Sequence, residues 1–67
     1  MKRLRELRKE KNLAQWQLAG DLNVAQNTIS RYETGQREAS YSQLVQFAKY
    51  FDVSVDYLLG VTNERKG

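Results

Sequence analysis

The chain has 67 residues, with 11 Lys and Arg against 8 Asp and Glu, and it contains no histidine and no cysteine. Disulfides and thiolate metal sites are therefore excluded, and the commonest general base is missing. No apolar run approaches the roughly 18 residues of a membrane span, and no signal peptide is evident. We therefore expect a single cytoplasmic domain. We expect it to bind no metal, cofactor or small-molecule ligand. We expect no enzymatic activity either, because the remaining acids form no convergent cluster.

The positive charge is concentrated at the N-terminus. The net charge is +3 and the pI is near 9.5, a value that points toward nucleic acid. The segment MKRLRELRKEK contains six of the cations and only two acids, and the rest of the chain is slightly negative. Such a run also fits an ordinary solvated helix face, so charge by itself leaves both interpretations open.

Apolar spacing predicts five short helices and no strand, which makes the fold class all-α. Asn12 and Asn23 stand where helices end, since asparagine tolerates the left-handed conformation there. Ser40 and Ser54 are expected to cap the fourth and fifth helices, and Gly60 to end the last one. The predicted helices, in chain order, are Lys2–Lys11, Gln15–Leu22, Gln26–Thr34, Tyr41–Phe51 and Val55–Leu59.

These elements suggest one domain over residues 1–60, followed by a polar tail over residues 61–67 that is expected to fray. Only about three residues join the second and third helices, and so short a link forces a steep crossing. That geometry is typical of a helix-turn-helix, whose second helix enters the DNA major groove.

Polar side chains share one side of the third helix. Glutamine and asparagine can hold adenine, and arginine can hold guanine, through paired hydrogen bonds. The same composition is also common on a solvated helix face, so both interpretations stay open at this point. The predicted base-reading residues are Gln26, Asn27, Ser30 and Arg31.

The stretch QWQLAGDLNVAQNTISRYETG resembles the lambda-type repressor and Cro family of bacterial and phage regulators, the XRE-like class. AKYFDVSVDYLLG, residues 48–60, is similar to the end of the same domain. The resemblance covers about Leu4–Gly60 and implies a compact five-helix lambda-repressor-like domain that binds double-stranded DNA. The positions that match the family pattern are Gln15, Leu18, Ala19, Val24, Ile29, Ser30, Glu33 and Gly35.

The resemblance also implies roles for single residues. The four polar residues of the third helix match base-facing positions, and Arg8 and Glu33 match a structural ion pair between the first and third helices. For Gln36 and Arg37 a flexible polar loop is the alternative interpretation. The residues expected to contact the DNA backbone are Gln15, Thr28, Thr34, Gln36 and Arg37.

Relatives in this family pair through the C-terminal end of the domain, so the resemblance implies a homodimer on a palindromic operator. Two recognition helices would then lie about 34 Å apart, one turn of DNA. The alternative interpretation of the same apolar residues is that they belong to the core. The candidate dimer patch consists of Val53, Val55, Tyr57 and Val61.

Several residues depart from the family pattern, among them Ala39, which replaces a common loop proline. Ala14 and Ala25 occupy N-cap positions where the family favours Ser or Thr, and each loss costs about 1 kcal/mol. Gly20 within the second helix costs roughly 1 kcal/mol relative to alanine. Trp16 either lies over its own helix or contacts another molecule. The leading hypothesis is a transcriptional repressor, and the alternative is a protein-interaction or antitoxin-like adaptor that uses Trp16.

Overall fold

A computed structural model of the chain describes residues 1–66, and all of its regular elements are α-helices. The predicted all-α class and the order of five helices are confirmed. The bounds of the last four helices are those that the sequence predicted. The helices are α1 Leu4–Glu10, α2 Gln15–Leu22, α3 Gln26–Thr34, α4 Tyr41–Phe51 and α5 Val55–Leu59.

Helix α1 is shorter than the predicted range Lys2–Lys11. Its N-terminal end differs because the Arg3 N–H donates a hydrogen bond to the carbonyl of Leu58, 3.1 Å away in α5. This contact ties the entering chain to the last helix. At the other end, Asn12 takes the left-handed conformation with a φ of 56° and turns the chain away.

The residues at the helix ends have side chains or backbone conformations that explain where each helix begins or ends. Asn23 adopts a φ of 57°, as expected, and Asp52 ends α4 in the same way without having been predicted. Ser40 and Ser54 cap α4 and α5, since their hydroxyls accept from the N–H groups of Gln43 and Tyr57 at 3.3 and 3.0 Å. Both predicted serine caps are confirmed.

Helices α2 and α3 begin at Ala14 and Ala25, neither of which supplies a side-chain cap. At α2 the side chain of Gln17 partly compensates, because its Oε1 accepts from the Ala14 N–H at 2.8 Å. The first N–H groups of α2 and α3 therefore have fewer hydrogen-bond acceptors than those of α4 and α5.

One apolar core joins all five helices. Tyr32 of α3 packs edge-to-face on Phe47 of α4, with ring centroids 5.8 Å apart. The Tyr32 hydroxyl also donates to Gln43 Oε1 at 2.6 Å, which fixes α3 against the start of α4. The core residues are Leu4, Leu7, Leu18, Ala19, Leu22, Ile29, Tyr32, Phe47, Ala48, Phe51, Tyr57 and Leu58.

The C-terminal segment, which is expected from the sequence to fray, makes several contacts with the domain over residues 61–66. Arg3 donates to the Thr62 carbonyl at 3.2 Å and to Asn63 Oδ1 at 2.6 Å. Arg65 forms two hydrogen bonds with the Glu10 carboxylate, at 3.0 and 2.6 Å. These charged partners on and before α1 hold the tail in place. Gly67 lies outside the described residues.

Candidate nucleic-acid interface

The turn between α2 and α3 consists of Asn23, Val24 and Ala25. Asn23 reverses the chain in the left-handed conformation, and Val24 packs partly buried against the core. Helix α3 then begins at Gln26, held against α2 by Ile29, which is fully buried. This arrangement is a helix-turn-helix, and it leaves the opposite face of α3 uncovered.

The uncovered face of α3 carries the four predicted base-reading side chains. Gln26, Asn27 and Arg31 are exposed, and Ser30 is half-buried. Within residues 1–66 their side chains form no hydrogen bond or ion pair with the rest of the protein. Their donors and acceptors are therefore free for another molecule.

The residues predicted to contact the DNA backbone have different surroundings. Gln36 and Arg37 are exposed in the loop after α3, and Thr28 is half-buried. The Thr34 hydroxyl donates to carbonyls of its own helix, at 3.1 Å to Ser30. Because that proton is engaged, the hydroxyl of Thr34 offers an oxygen lone pair but no free donor in this structure.

Gln15, the fifth of these residues, is turned inward. Its side-chain nitrogen Nε2 lies 3.0 Å from Glu33 Oε1 and donates a hydrogen bond to it. A carboxylate can only accept, so this contact fixes which end of the amide faces Glu33. The second N–H of the same nitrogen remains available.

Glu33, at the end of α3, gathers side chains from α1 and α2. Its side chain is 0% exposed, and Arg8 lies against it with an Nε–Oε2 distance of 2.6 Å. Arg8 also donates to the Leu13 carbonyl at 2.7 Å. Burial opposes ionisation of Glu33, but the hydrogen bonds from Arg8, Gln15 and Arg5 outweigh it and hold the pKa of Glu33 below its usual value. All three nitrogens of Arg8 are used in these contacts.

Arg5 was missed in the sequence analysis. Its Nε lies 3.5 Å from Glu33 Oε1, while its side chain is 57% exposed. The one signal in the sequence is its position one helical turn before Arg8, on the same side of α1. That signal becomes informative only once Glu33 is known to be the common partner.

The candidate dimer patch requires a correction at Tyr57. Its ring is only 4% exposed and belongs to the core of this chain, with the Arg3 guanidinium 4.2 Å from the ring centre. The aromatic ring therefore cannot form part of an exposed patch here. Val53 and Val55 are half-buried, and Val61 is 73% exposed.

Trp16 projects from the first turn of α2 and is 64% exposed. Gly20, one turn later, has open space around the position that a Cβ would occupy. Over residues 1–66, no helix is long and apolar enough to cross a bilayer. The described part of the chain also has no group of three metal-ligating side chains.

A helix-turn-helix family model matches residues 4–58 of the chain. The chain is 40% identical over 62 residues to YobD, an uncharacterized HTH-type transcriptional regulator of Bacillus subtilis. It is 39% identical over 64 residues to the HTH-type transcriptional regulator AnsR of the same organism. These alignments cover 92% and 96% of this chain and 55% of each relative. The chain thus spans about half the length of these relatives.

A further relative is the HTH-type transcriptional activator BcrR of Enterococcus faecalis, 40% identical over 57 residues, which are 85% of this chain and 28% of BcrR. No solved structure gives a significant match. The family model spans α1 to α5 almost from end to end, and the names of these relatives carry the same helix-turn-helix designation. The chain therefore belongs to the lambda-type, XRE-like helix-turn-helix family of DNA-binding transcriptional regulators.

Proposed function

We propose that this domain binds double-stranded DNA in a sequence-specific manner and reads the major groove with α3. The observation that carries the proposal is the exposed face of α3, whose polar side chains have no partner within residues 1–66. An exposed face of this kind on the second helix of a helix-turn-helix suits base edges. Gln26 and Asn27 suit adenine, Arg31 suits guanine, and Ser30 suits either.

Contacts to the DNA backbone would position this face. Arg37 and Gln36 follow α3 in an exposed loop, and Gln15 retains a free N–H at the start of α2. Thr28 and Thr34 are the remaining candidates, with Thr34 limited by its internal hydrogen bond. Phosphate contacts supply affinity but no sequence information, so their loss would weaken binding to all sequences alike.

The biological role that we propose is repression, by occupation of a promoter in the bacterial cytoplasm or nucleoid. A homodimer on a palindromic operator would double the contact area of a domain whose net charge is only +3. Val53, Val55 and Val61 are the patch residues with accessible surface for such pairing. We propose a binding function without turnover, which any reproducible catalysis by the pure protein would contradict.

Selection from a random DNA library at about 150 mM salt tests the proposal, because nonspecific phosphate attraction is already weakened there. We expect a palindrome with half-sites about ten base pairs apart. Arg31→Ala should then weaken binding by about 1–3 kcal/mol and relax the preference at one base pair. Arg37→Ala is the matched control, since it should weaken binding without changing the preferred sequence. Folded protein that enriches no sequence would contradict the proposal.

A second candidate function is protein binding, and the exposure of Trp16 favours it. A ring that is 64% exposed is free to pack on a partner, and Gly20 leaves room beside the same helix. Under this alternative, Trp16→Ala abolishes the function in the cell while Arg31→Ala has no effect. The DNA-binding proposal predicts that Arg31→Ala weakens the function, in line with the loss of DNA affinity expected above.

A further inference from the structure

We propose that Arg5 of α1 and Gln15 of α2 together hold one DNA phosphate, with Glu33 as the residue that positions both side chains. This inference rests on the proposed DNA binding and adds α1 to the elements that contact the duplex. It gives a function to Arg5, which the helix-turn-helix alone does not use.

The geometry begins with a shared acceptor. Arg5 Nε lies 3.5 Å from Glu33 Oε1, and Gln15 Nε2 lies 3.0 Å from the same oxygen. The two nitrogens therefore cannot be more than about 6.5 Å apart, which is the sum of those distances. The terminal nitrogens of Arg5 belong to the same guanidinium group as Nε, so they and the second N–H of Gln15 can both reach oxygens of a single phosphate group.

Arg5 carries a positive charge that is not required to neutralise Glu33. Arg8 is 12% exposed, uses every nitrogen of its guanidinium internally and neutralises the buried Glu33. Arg5 adds a second positive charge beside the same carboxylate, and its side chain is 57% exposed. The cluster of Arg5, Arg8, Gln15 and Glu33 thus carries one surplus positive charge on its solvent side.

The donors that point away from Glu33 are free. The terminal nitrogens of Arg5 have no acceptor in the described part of the chain, and Gln15 has one N–H left over. Guanidinium groups recognise phosphate through paired hydrogen bonds. The Arg5–Glu33 contact itself is long and the Arg5 side chain is 57% exposed, so the contact contributes little to stability. Arg5 is therefore better placed to bind an anion than to stabilise the fold.

The test is the salt dependence of binding to a duplex carrying the selected sequence. Each phosphate contact contributes about 0.9 to the slope of log K against log salt concentration. We expect Arg5→Ala to lower the magnitude of this slope by about 0.9 and to weaken binding without changing the preferred sequence. Arg5→Lys should retain most of the slope, because an ammonium group also binds phosphate as a point charge.

Lys49→Ala is the matched control, since it removes one exposed cation from α4, outside the cluster. Its slope should equal that of the unchanged protein. The double variant Arg5→Ala/Gln15→Ala should lose less than the two single losses combined, because both side chains serve one phosphate. Thermal unfolding of each variant checks that the fold persists.

The outcomes separate this inference from the proposed function. If the unchanged protein shows no salt-dependent binding to any selected duplex, the proposed function fails, and this inference fails with it. If the unchanged protein binds, and Arg5→Ala behaves like Lys49→Ala, the inference alone is overturned. Additive losses in the double variant would likewise overturn a shared phosphate.

Discussion

Arg8 and Glu33 form a two-point ion pair, with an Nε–Oε2 distance of 2.6 Å and an Nη2–Oε1 distance of 3.4 Å. The pair joins α1 to the last turn of α3, and the Glu33 side chain has no exposed surface. A buried pair of this kind matters most when one partner is lost, because the remaining charge stays in a poorly solvated place.

Arg8→Ala should leave the domain largely unfolded at 25 °C. Loss of one partner of a buried pair costs about 3–5 kcal/mol, similar to the about 3–5 kcal/mol that a core of this size supplies. Urea unfolding followed by circular dichroism measures the effect. Lys49→Ala, an exposed change, should stay within about 0.5 kcal/mol of the unchanged protein. If Arg8→Ala instead unfolds cooperatively and its free energy of unfolding falls by less than about 1 kcal/mol, Arg8 does not stabilise the buried carboxylate of Glu33.

The difference in stability between Glu33→Gln and the unchanged protein should depend on pH. The pKa of Glu33 is lowered on folding, so its ionised form adds stability that is fully present above the unfolded pKa of about 4.3. That stability is lost as the pH falls through the lower pKa of the folded state. The difference in unfolding free energy between the two proteins should be large at pH 7 and shrink below about pH 4. A gap that stays constant from pH 7 to pH 3 would argue against the assignment.

Gly20→Ala should stabilise the domain. The added Cβ meets no atom within 4 Å, and alanine is better than glycine in a helix by about 1 kcal/mol. Calorimetry should show a Tm about 4–8 °C higher. Gly35→Ala is the opposing control, since φ is 79° there and a side chain is strained by roughly 1–2 kcal/mol. Equal effects of the two substitutions would contradict this account.

Arg65→Ala should raise the pKa of Glu10 toward its ordinary value. The hydrogen bond from Arg65 holds the pKa of the Glu10 carboxyl below that value, and its charge adds to the effect. A carboxyl titration by NMR measures the change directly. Lys66→Ala should leave Glu10 as it is, because Lys66 pairs with Asp52 at 2.9 Å instead. An unchanged Glu10 titration in Arg65→Ala would mean that the tail does not stay on α1 in solution.

Local signals were enough to predict most of the helix bounds. Ser40, Ser54 and Asn23 act through hydrogen bonds or backbone conformations within a few residues, so their effect can be judged from the sequence. The start of α1 was predicted less well because it depends on Arg3 reaching Leu58, far away in the chain. The contacts of the tail could not be predicted for a similar reason, since its partner Glu10 lies on α1.

In the candidate interface, too, features set by nearby residues could be predicted from the sequence and contacts between distant residues could not. The exposed face of α3 follows from helical spacing around Ile29 and Tyr32, which are buried. The environment of Tyr57 could not be predicted, because its ring is covered by Arg3 and Arg65 from the two ends of the chain. The common contact of Arg5 and Gln15 was hidden for the same reason, since neither residue is near Glu33 in sequence.

The shortness of α3 has a thermodynamic consequence. It has nine residues, and isolated helices below about 12–15 residues are marginal in water. The proposed reading face therefore exists only while the whole domain is folded, so under the proposed function folding and DNA occupancy form one linked equilibrium. A duplex at 100 times its Kd adds about 2.7 kcal/mol to the folded state, a large share of the about 3–5 kcal/mol supplied by such a core. Protein released from DNA would unfold, and become open to proteolysis, far more often than protein bound to DNA.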